Sequence, residues 1–305
     1  MTGGPARIFV LAAFAVLGSV RHASAQDMEP RAYSSSPTGA NFLVLGYGRS
    51  TGDVLFDATL PLTDVNASLN AGILGLGRTF GIAGRLALLT AALPYSWGDI
   101  EGRVFEDARR VTRSGLVDPR VKLSVNLLGP PAMSPKEFVR APKQTVIGAS
   151  VTAVIPLGQY DAAKLINLGT NRWAFKPEVG VSHPEGRWDL DAYAGVWLFS
   201  ENDAFFPGAA TRRQDPIVAI QGHASYTFKP RAWAAFDATW YGGGKATVDN
   251  GVPSSRLSNT RFGATLAWPL GRQQSVKIAY GLGAWTRVGS DFRTLAIAWQ
   301  YLWMD

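Results

Sequence analysis

The feature that most constrains the fold is an alternation between residues 172 and 199, with an apolar side chain at almost every second position and a charge in many of the gaps. In RWAFKPEVGVS (172–182), aromatic and branched apolar residues take the odd positions, and charged or small residues take most of the even ones. After the turn HPEG (183–186), RWDLDAYAGVWLF (187–199) continues with its apolar set on the even positions. Successive side chains of a strand point to opposite faces, so the two stretches predict an antiparallel hairpin. The alternation alone leaves open whether the apolar face meets a soluble core or lipid.

The same alternation recurs along the chain and predicts about twelve strands in a single domain. Tight turns and long polar loops alternate, which gathers short connections at one rim and long loops at the other, as in outer-membrane barrels. Two connections depart from this rule: the Pro-rich stretch 129–143 is long on the short-turn side, and 286–291 is short on the loop side. The predicted strands lie near residues 41–48, 69–80, 85–97, 116–128, 144–156, 172–182, 187–199, 215–228, 233–242, 259–269, 275–286 and 292–303.

Strand length and aromatic placement favour lipid over a soluble core. Strands of about a dozen residues exceed the mode of ~5–6 in soluble sheets and match the ~9–11 of a tilted membrane strand. Aromatic residues fall near both rims, where amphipathic rings sit at the two water interfaces. The short-turn set is Trp188, Phe228, Trp268, Tyr301 and Trp303, and the loop-side set is Tyr95, Trp97, Trp173 and Trp240. We therefore predict an all-β fold, a transmembrane antiparallel up-and-down β-barrel of about twelve strands. The second strand is the least regular, because Leu74 and Leu76 are out of phase with Ile73.

The N-terminus has the pattern of an export signal. Arg7 precedes an apolar run over residues 8–20, and Ala23-Ser24-Ala25 precedes the expected cut. The run is shorter than the ~20 residues of a spanning helix, and an anchor helix is the alternative. We expect a signal peptide over 1–25, a short periplasmic segment over 26–40 and the barrel over 41–305, in the outer membrane of a Gram-negative bacterium.

Composition removes several classes of function. The chain has no Cys, which excludes a disulfide framework, a lipid anchor and a Cys-based metal site. Its net charge is +7, but the basic residues are dispersed, so nucleic-acid binding is a poor interpretation. Beyond the leader no apolar run reaches spanning length, which excludes a helical inner-membrane transporter.

If the apolar face meets lipid, the polar face lines the lumen. An excess of positive charge there would favour anions. The alternative is that Arg187 pairs with Asp189 or Glu178, and Lys176 with Asp191, which would cancel the field. The predicted lining residues are Arg120, Lys122, Asn126, Arg172, Lys176, Glu178, Arg187, Asp189, Asp191, His223, Asp237, Arg261 and Lys277.

One constellation raises the possibility of catalysis. His223 and Ser225 lie on one strand, with Asp237 at the same height on the next, an arrangement similar to the His/Ser pair of the outer-membrane phospholipase. The strand phase puts all three on the lumen side, whereas a phospholipase must meet lipid from outside. We therefore predict no enzyme, no metal site and no cofactor.

Short motifs in the strand ends and loops carry a resemblance. They are LPYSWG (93–98) with Glu101-Gly102, DPR (118–120), PLGQY (156–160), NLG (167–169) followed by Arg172-Trp173, and Asn202. In this order they resemble the family of the MetA pathway of phenol degradation over nearly all of the mature chain. The resemblance implies an outer-membrane barrel, labelled a transporter, in bacteria that degrade aromatic compounds.

The predicted function is an outer-membrane channel for passive uptake of small solutes, aromatic or otherwise hydrophobic. Twelve strands imply a lumen between the filled interior of eight-stranded barrels and the open pore of 16–18 strands, and loops or Asp27–Ala40 could obstruct it. The expected partners are outer-membrane lipid and lipopolysaccharide, the barrel assembly machinery and the solute. A structural or adhesion barrel and a phospholipase-like hydrolase remain the alternatives.

Overall fold

The structure, a computed structural model, describes residues 28–55, 62–104, 107–206 and 208–305. The predicted signal peptide, 1–25, lies outside these residues. The elements are β1 (Ala40–Leu55), β2 (Leu62–Ile82), β3 (Arg85–Val104), β4 (Asp107–Leu116), β5 (Arg120–Leu128), α1 (Pro135–Phe138), β6 (Val146–Val154), β7 (Ala174–Glu185), β8 (Trp188–Phe199), β9 (Asn202–Phe205), β10 (Ala210–Gln214), β11 (Ile217–Lys229), β12 (Ala232–Gly243), β13 (Ala246–Val248), β14 (Leu257–Pro269), β15 (Gln274–Trp285) and β16 (Gly289–Met304).

The wall is a closed antiparallel barrel of twelve strand positions. Each wall strand pairs with the next wall strand along the chain, so that β8 pairs with β11 and β12 with β14. β16 closes the barrel on β1 through an unbroken register from Ala40↔Met304 to Leu55↔Gly289. β4 and β5 share one position, because β4 pairs with the loop-side part of β3 and β5 with the other part. The prediction of about twelve strands is confirmed, and each predicted strand overlaps a strand of the wall.

The outer surface explains the alternation in the sequence. Along β7 and β8, Phe175, Val179, Leu190 and Leu198 are exposed, while the residues between them are mostly buried inside the wall. β2 follows the same rule: Leu74 and Leu76 point outward, so its phase is regular after all. A closed ring of backbone hydrogen bonds with an apolar exterior is what a sheet in lipid requires.

Aromatic rings collect at both rims of this apolar belt. Trp188, Trp268 and Trp303 are exposed near the short turns, and Tyr95, Trp97, Trp173 and Trp240 are exposed near the long loops. Several are in mutual contact, such as Trp173 and Phe175, whose ring centroids are 5.9 Å apart. These positions are those predicted for the two interfaces of a bilayer.

The two rims differ in their connections. Tight turns join β2 to β3, β7 to β8 and β11 to β12, and the long exception on that side carries α1, whose N-cap Ser134 and Glu137 form a capping box. At the other rim, β9, β10 and β13 form a separate three-stranded sheet within the long loops. Among the described residues, no helix has the length and apolar character to cross a membrane.

Residues 28–39 lie against the inner wall instead of extending away from it. Glu29, Arg31 and Tyr33 are almost fully buried, and their side chains contact strands on several sides of the barrel. Thr38 and Gly39 then donate backbone hydrogen bonds to Met133 and Thr79 at the short-turn rim, where β1 begins. We call residues 28–39 the lumen segment.

Candidate functional site: the barrel interior

The interior has an apolar layer near the long loops. The inward faces of β6, β7, β8, β11 and β12 supply a buried cluster there, and it packs against Phe199 and Leu257. Its members are Val154, Ala174, Trp197, Ile217, Ala219 and Tyr241. Small and branched side chains around two large rings line this part of the lumen without charge.

Below this layer the interior is charged. Lys176 marks the boundary, since its ammonium lies 5.4 Å from the ring centre of Trp197 and 2.9 Å from Glu178 Oε2. Lys122 Nζ lies 2.5 Å from Glu29 Oε2 of the lumen segment and 3.5 Å from Glu178 Oε1. Gln221 also donates to Glu178, at 3.2 Å. Two lysines and two carboxylates thus form one buried network, which offsets the cost of burying each ion.

Arg31 provides a second attachment of the lumen segment. Its guanidinium lies 2.8 Å from Asp189 and donates to Thr227 at 2.8 Å, while its backbone N–H donates to Asp191 at 3.0 Å. The guanidinium also lies 4.6 Å from the ring centre of Trp233. The segment therefore contacts β8, β11 and β12 through one residue.

Tyr33 fits a notch in the wall made by two glycines. Gly148 of β6 and Gly180 of β7 are register partners, and a Cβ on either would lie 2.2 or 2.4 Å from the Tyr33 ring. The hydroxyl donates to Glu178 at 3.2 Å and shares a 2.9 Å hydrogen bond with Ser150. Only the missing side chains of these glycines let an aromatic ring lie flat on the wall here.

His223 and Asp237 form a buried pair inside the lumen. His223 Nδ1 and Asp237 Oδ1 are 2.7 Å apart, and Thr265 donates to the other carboxylate oxygen at 2.9 Å. Ser225 Oγ is buried with no hydrogen-bond partner among the described residues, so it is not linked to His223. In those residues no group of three or more His, Cys, Asp or Glu is placed to hold a metal ion.

The thirteen predicted lining residues differ in how far they are buried. Those that are buried are Lys122, Asn126, Arg172, Lys176, Glu178, Asp191, His223, Asp237, Arg261 and Lys277. Arg120 and Asp189 are half-buried. Arg187 is exposed in the turn between β7 and β8. Lys176 is paired with Glu178, two residues along the same strand, and not with Asp191 as the pairing alternative supposed.

Sequence reasoning missed the side chains that the lumen segment contributes. Glu29, Arg31 and Tyr33 make contacts that join strands from β5 to β12, whereas the sequence predicts Asp27–Ala40 only as a possible obstruction. The available signal was the mixture of charge and aromatic character in EPRAY (29–33), which is unusual for a plain linker. The inward aromatic residues Trp197 and Tyr241 were also missed, because a polar lumen was assumed throughout.

The sequence motifs 118–120, 156–160, 167–169 and Asn202 meet at the long-loop mouth of the barrel. The Asp118 carboxylate accepts hydrogen bonds from Gly158 N–H and from the N–H and hydroxyl of Thr170. Asn202 donates to the Tyr160 hydroxyl and to the Thr170 carbonyl. These bonds fix the loop that leads into β7 and carries Arg172.

The solved structures that resemble this chain include a barrel of the same architecture. The COG4313 outer membrane channel from Pseudomonas putida F1 is similar, with a TM-score of 0.76 and 22% identity, covering 91% of this chain and 100% of that one. The NanC porin is less similar, with a TM-score of 0.48 and 10% identity over 85% of this chain and 98% of its own. A lipid-facing barrel of this type is a protein of the bacterial outer membrane.

The family comparison covers most of the chain. No curated protein matches. The model of a family described as "Putative MetA-pathway of phenol degradation" matches residues 38–301, from the end of the lumen segment to within a few residues of the end of β16. The motifs that suggested this resemblance fall within that range. The chain therefore belongs to the family of the MetA pathway of phenol degradation.

Proposed function

We propose that the protein is a passive outer-membrane channel for small solutes, with the lumen segment narrowing its path. The observation that carries this proposal is the charged network of Glu29, Lys122, Lys176 and Glu178, buried inside the wall at membrane depth. Ionisable side chains inside a membrane are costly, and they characteristically mark paths for ions or solutes.

The cargo we propose is small and aromatic or otherwise hydrophobic. The apolar layer around Trp197 and Tyr241 would accept an apolar body, and the charged layer beneath it would accept a polar group. The link of the family to phenol degradation supports the same choice. Twelve strands suit solutes of this size, since the interior lies between that of filled eight-stranded barrels and open pores of 16–18 strands.

The buried residues among the predicted lining set would contact the solute, and the exterior would contact lipid and lipopolysaccharide. We also propose that the aromatic outer face of β16, with Trp299, Tyr301 and Trp303, is read by the barrel assembly machinery. His223 and Asp237 line the lumen and are not catalytic, because the pair is enclosed within the barrel. A lipid hydrolase needs its nucleophile at the lipid surface.

Planar-bilayer recording on the purified chain tests the channel. We expect discrete conductance steps, and larger ones from a variant that lacks residues 28–34, because their contacts span the lumen. A barrel that never conducts, with or without residues 28–34, would favour the structural alternative. Lipid hydrolysis that disappears in Ser225→Ala would favour the hydrolase.

A further inference from the structure

Two arginines at the long-loop mouth form no ion pair with any carboxylate of the described residues. Arg172 precedes β7 and is 6% exposed, and Arg212 lies on β10 of the small loop sheet. Arg172 Nη2 donates to Gln214 Oε1 at 2.5 Å, but its buried Nη1 has no hydrogen-bond partner within the described ranges. The guanidinium of Arg212 makes no hydrogen bond or ion pair with the described residues, and its contact is with the Phe205 ring, 5.8 Å away.

The carboxylate that attracts Arg172 already accepts hydrogen bonds from other donors. Asp118 attracts Arg172, but its two oxygens accept three hydrogen bonds from Gly158 and Thr170. Both arginines lie outside the membrane-spanning strands. Burial lowers the pKa of Arg172 to about 9, the charge of Arg212 contributing in the same direction, and burial also lowers the pKa of Arg212. Arg172 is buried and Arg212 is half-buried, and two such cations that repel each other are stabilised by an anion placed between them.

Aromatic rings surround the same place. The Arg172 guanidinium lies 4.3 Å from the ring centre of Phe199, and Phe199 packs on the apolar layer formed by Trp197 and its neighbours. A ligand held by the two guanidinium groups would therefore have apolar surface directly beside its charged end. Guanidinium groups bind planar carboxylates through paired N–H donors, which suits the free Nη1 of Arg172.

We propose that Arg172 and Arg212 form a binding site for the carboxylate of a small aromatic acid, with Phe199 and Phe205 beside its ring. The proposal deepens the proposed channel function and rests on it for a role in uptake, since it names the charged group of the solute. Binding itself is independent of conductance. The site lies where a solute would enter from the long loops, above the apolar layer.

The test measures binding of benzoate to the purified full chain in detergent, with benzamide as the neutral probe of the same shape. We expect benzoate to bind and benzamide to bind at least about tenfold more weakly. Arg172→Gln and Arg212→Gln should each weaken benzoate at least about tenfold, because each removes a charged donor to the carboxylate. Arg213→Gln is the matched control, since Arg213 is the next residue of β10, exposed, and paired with Glu201 at 2.7 Å.

Folding of each variant is checked by its heat-dependent migration on a gel. We expect Arg212→Gln to fold normally, since that guanidinium makes no hydrogen bond with the described residues, so a loss of binding in this variant reports on the site. Equal binding of benzoate and benzamide, or equal losses in Arg212→Gln and Arg213→Gln, would overturn the site. If the chain conducts ions but does not bind benzoate, the proposed binding site is wrong and the proposed channel function stands. If the chain binds benzoate but never conducts, the proposed channel function is wrong and the binding site stands.

Discussion

At the scale of single residues, Glu178 is the centre of the lumen chemistry. Its carboxylate lies within 3.5 Å of Lys122, Lys176, Tyr33 and Gln221, and it is 3% exposed. A buried carboxylate is tolerated only because several donors and two cations surround it. Removing its charge leaves Lys176 without a carboxylate partner among the described residues, while Lys122 keeps Glu29.

Glu178→Gln should therefore destabilise the barrel, toward the lower end of the ~3–5 kcal/mol that breaking a buried ion pair costs. The measurement is the free energy of unfolding in urea, with the chain inserted in lipid vesicles. Glu201→Gln is the matched control, because Glu201 pairs with Arg213 at the exposed rim and such pairs contribute ~0–1 kcal/mol. Equal losses in the two variants would show that the lumen network contributes no special stability.

The sequence predicted the face of most charged residues but not their partners. Strand phase is a local property, so Lys176 and Glu178 could be assigned to one face from their spacing. The nearer carboxylate partner of Lys122 is Glu29, which is distant in sequence and belongs to no strand. Strand phase could not predict the exposure of Arg187 either, because that residue lies in a turn, where the alternation of faces ends.

At the scale of elements, the lumen segment and the wall fit each other through Gly148, Gly180 and Tyr33. The wall strands were predictable because each has its own alternation. β4 was missed because DARRVTRSGL (107–116) stands beyond the apolar belt, with both faces largely exposed, so it lacks an apolar face. β9, β10 and β13 are too short to show a period.

Gly180→Ala should loosen the lumen segment. The new Cβ would lie 2.4 Å from the rings of Tyr33 and Tyr193, so one of them must move. The chain has no Cys, so Ser34→Cys introduces a single thiol in the lumen segment. We expect maleimide to label this thiol several-fold faster when Gly180→Ala is also present. The control is Gly72→Ala, where a Cβ would have no neighbour within 4 Å. Unchanged labelling would show that Tyr33 does not hold the segment.

At the scale of the whole molecule, the apolar exterior makes the barrel a membrane protein. The sequence predicted this exterior and the closed wall, since strand length, alternation and the aromatic rims all point to lipid. It could not predict how the lumen is filled. That depends on contacts between strands on opposite sides, and no local pattern encodes them.

Val179→Arg should impair assembly of the barrel. Val179 is 57% exposed midway along β7, and an arginine near the bilayer midplane costs ~2–4 kcal/mol. The fraction of chain that runs as the compact, heat-sensitive band on a gel should fall. Val252→Arg is the matched control, since Val252 is 79% exposed in a long loop outside the apolar belt. A normal folded fraction for Val179→Arg would contradict a lipid-facing β7.

The seam between β1 and β16 links the lumen segment to the closure of the wall. The segment continues directly into β1, and its attachments at Glu29, Arg31 and Tyr33 reach strands from β5 to β12. Those attachments exist together only once the sheet has curled and its first and last strands have met. We therefore expect the ion pairs of the segment and the backbone bonds of the seam to form cooperatively, because both depend on the same curvature of the sheet.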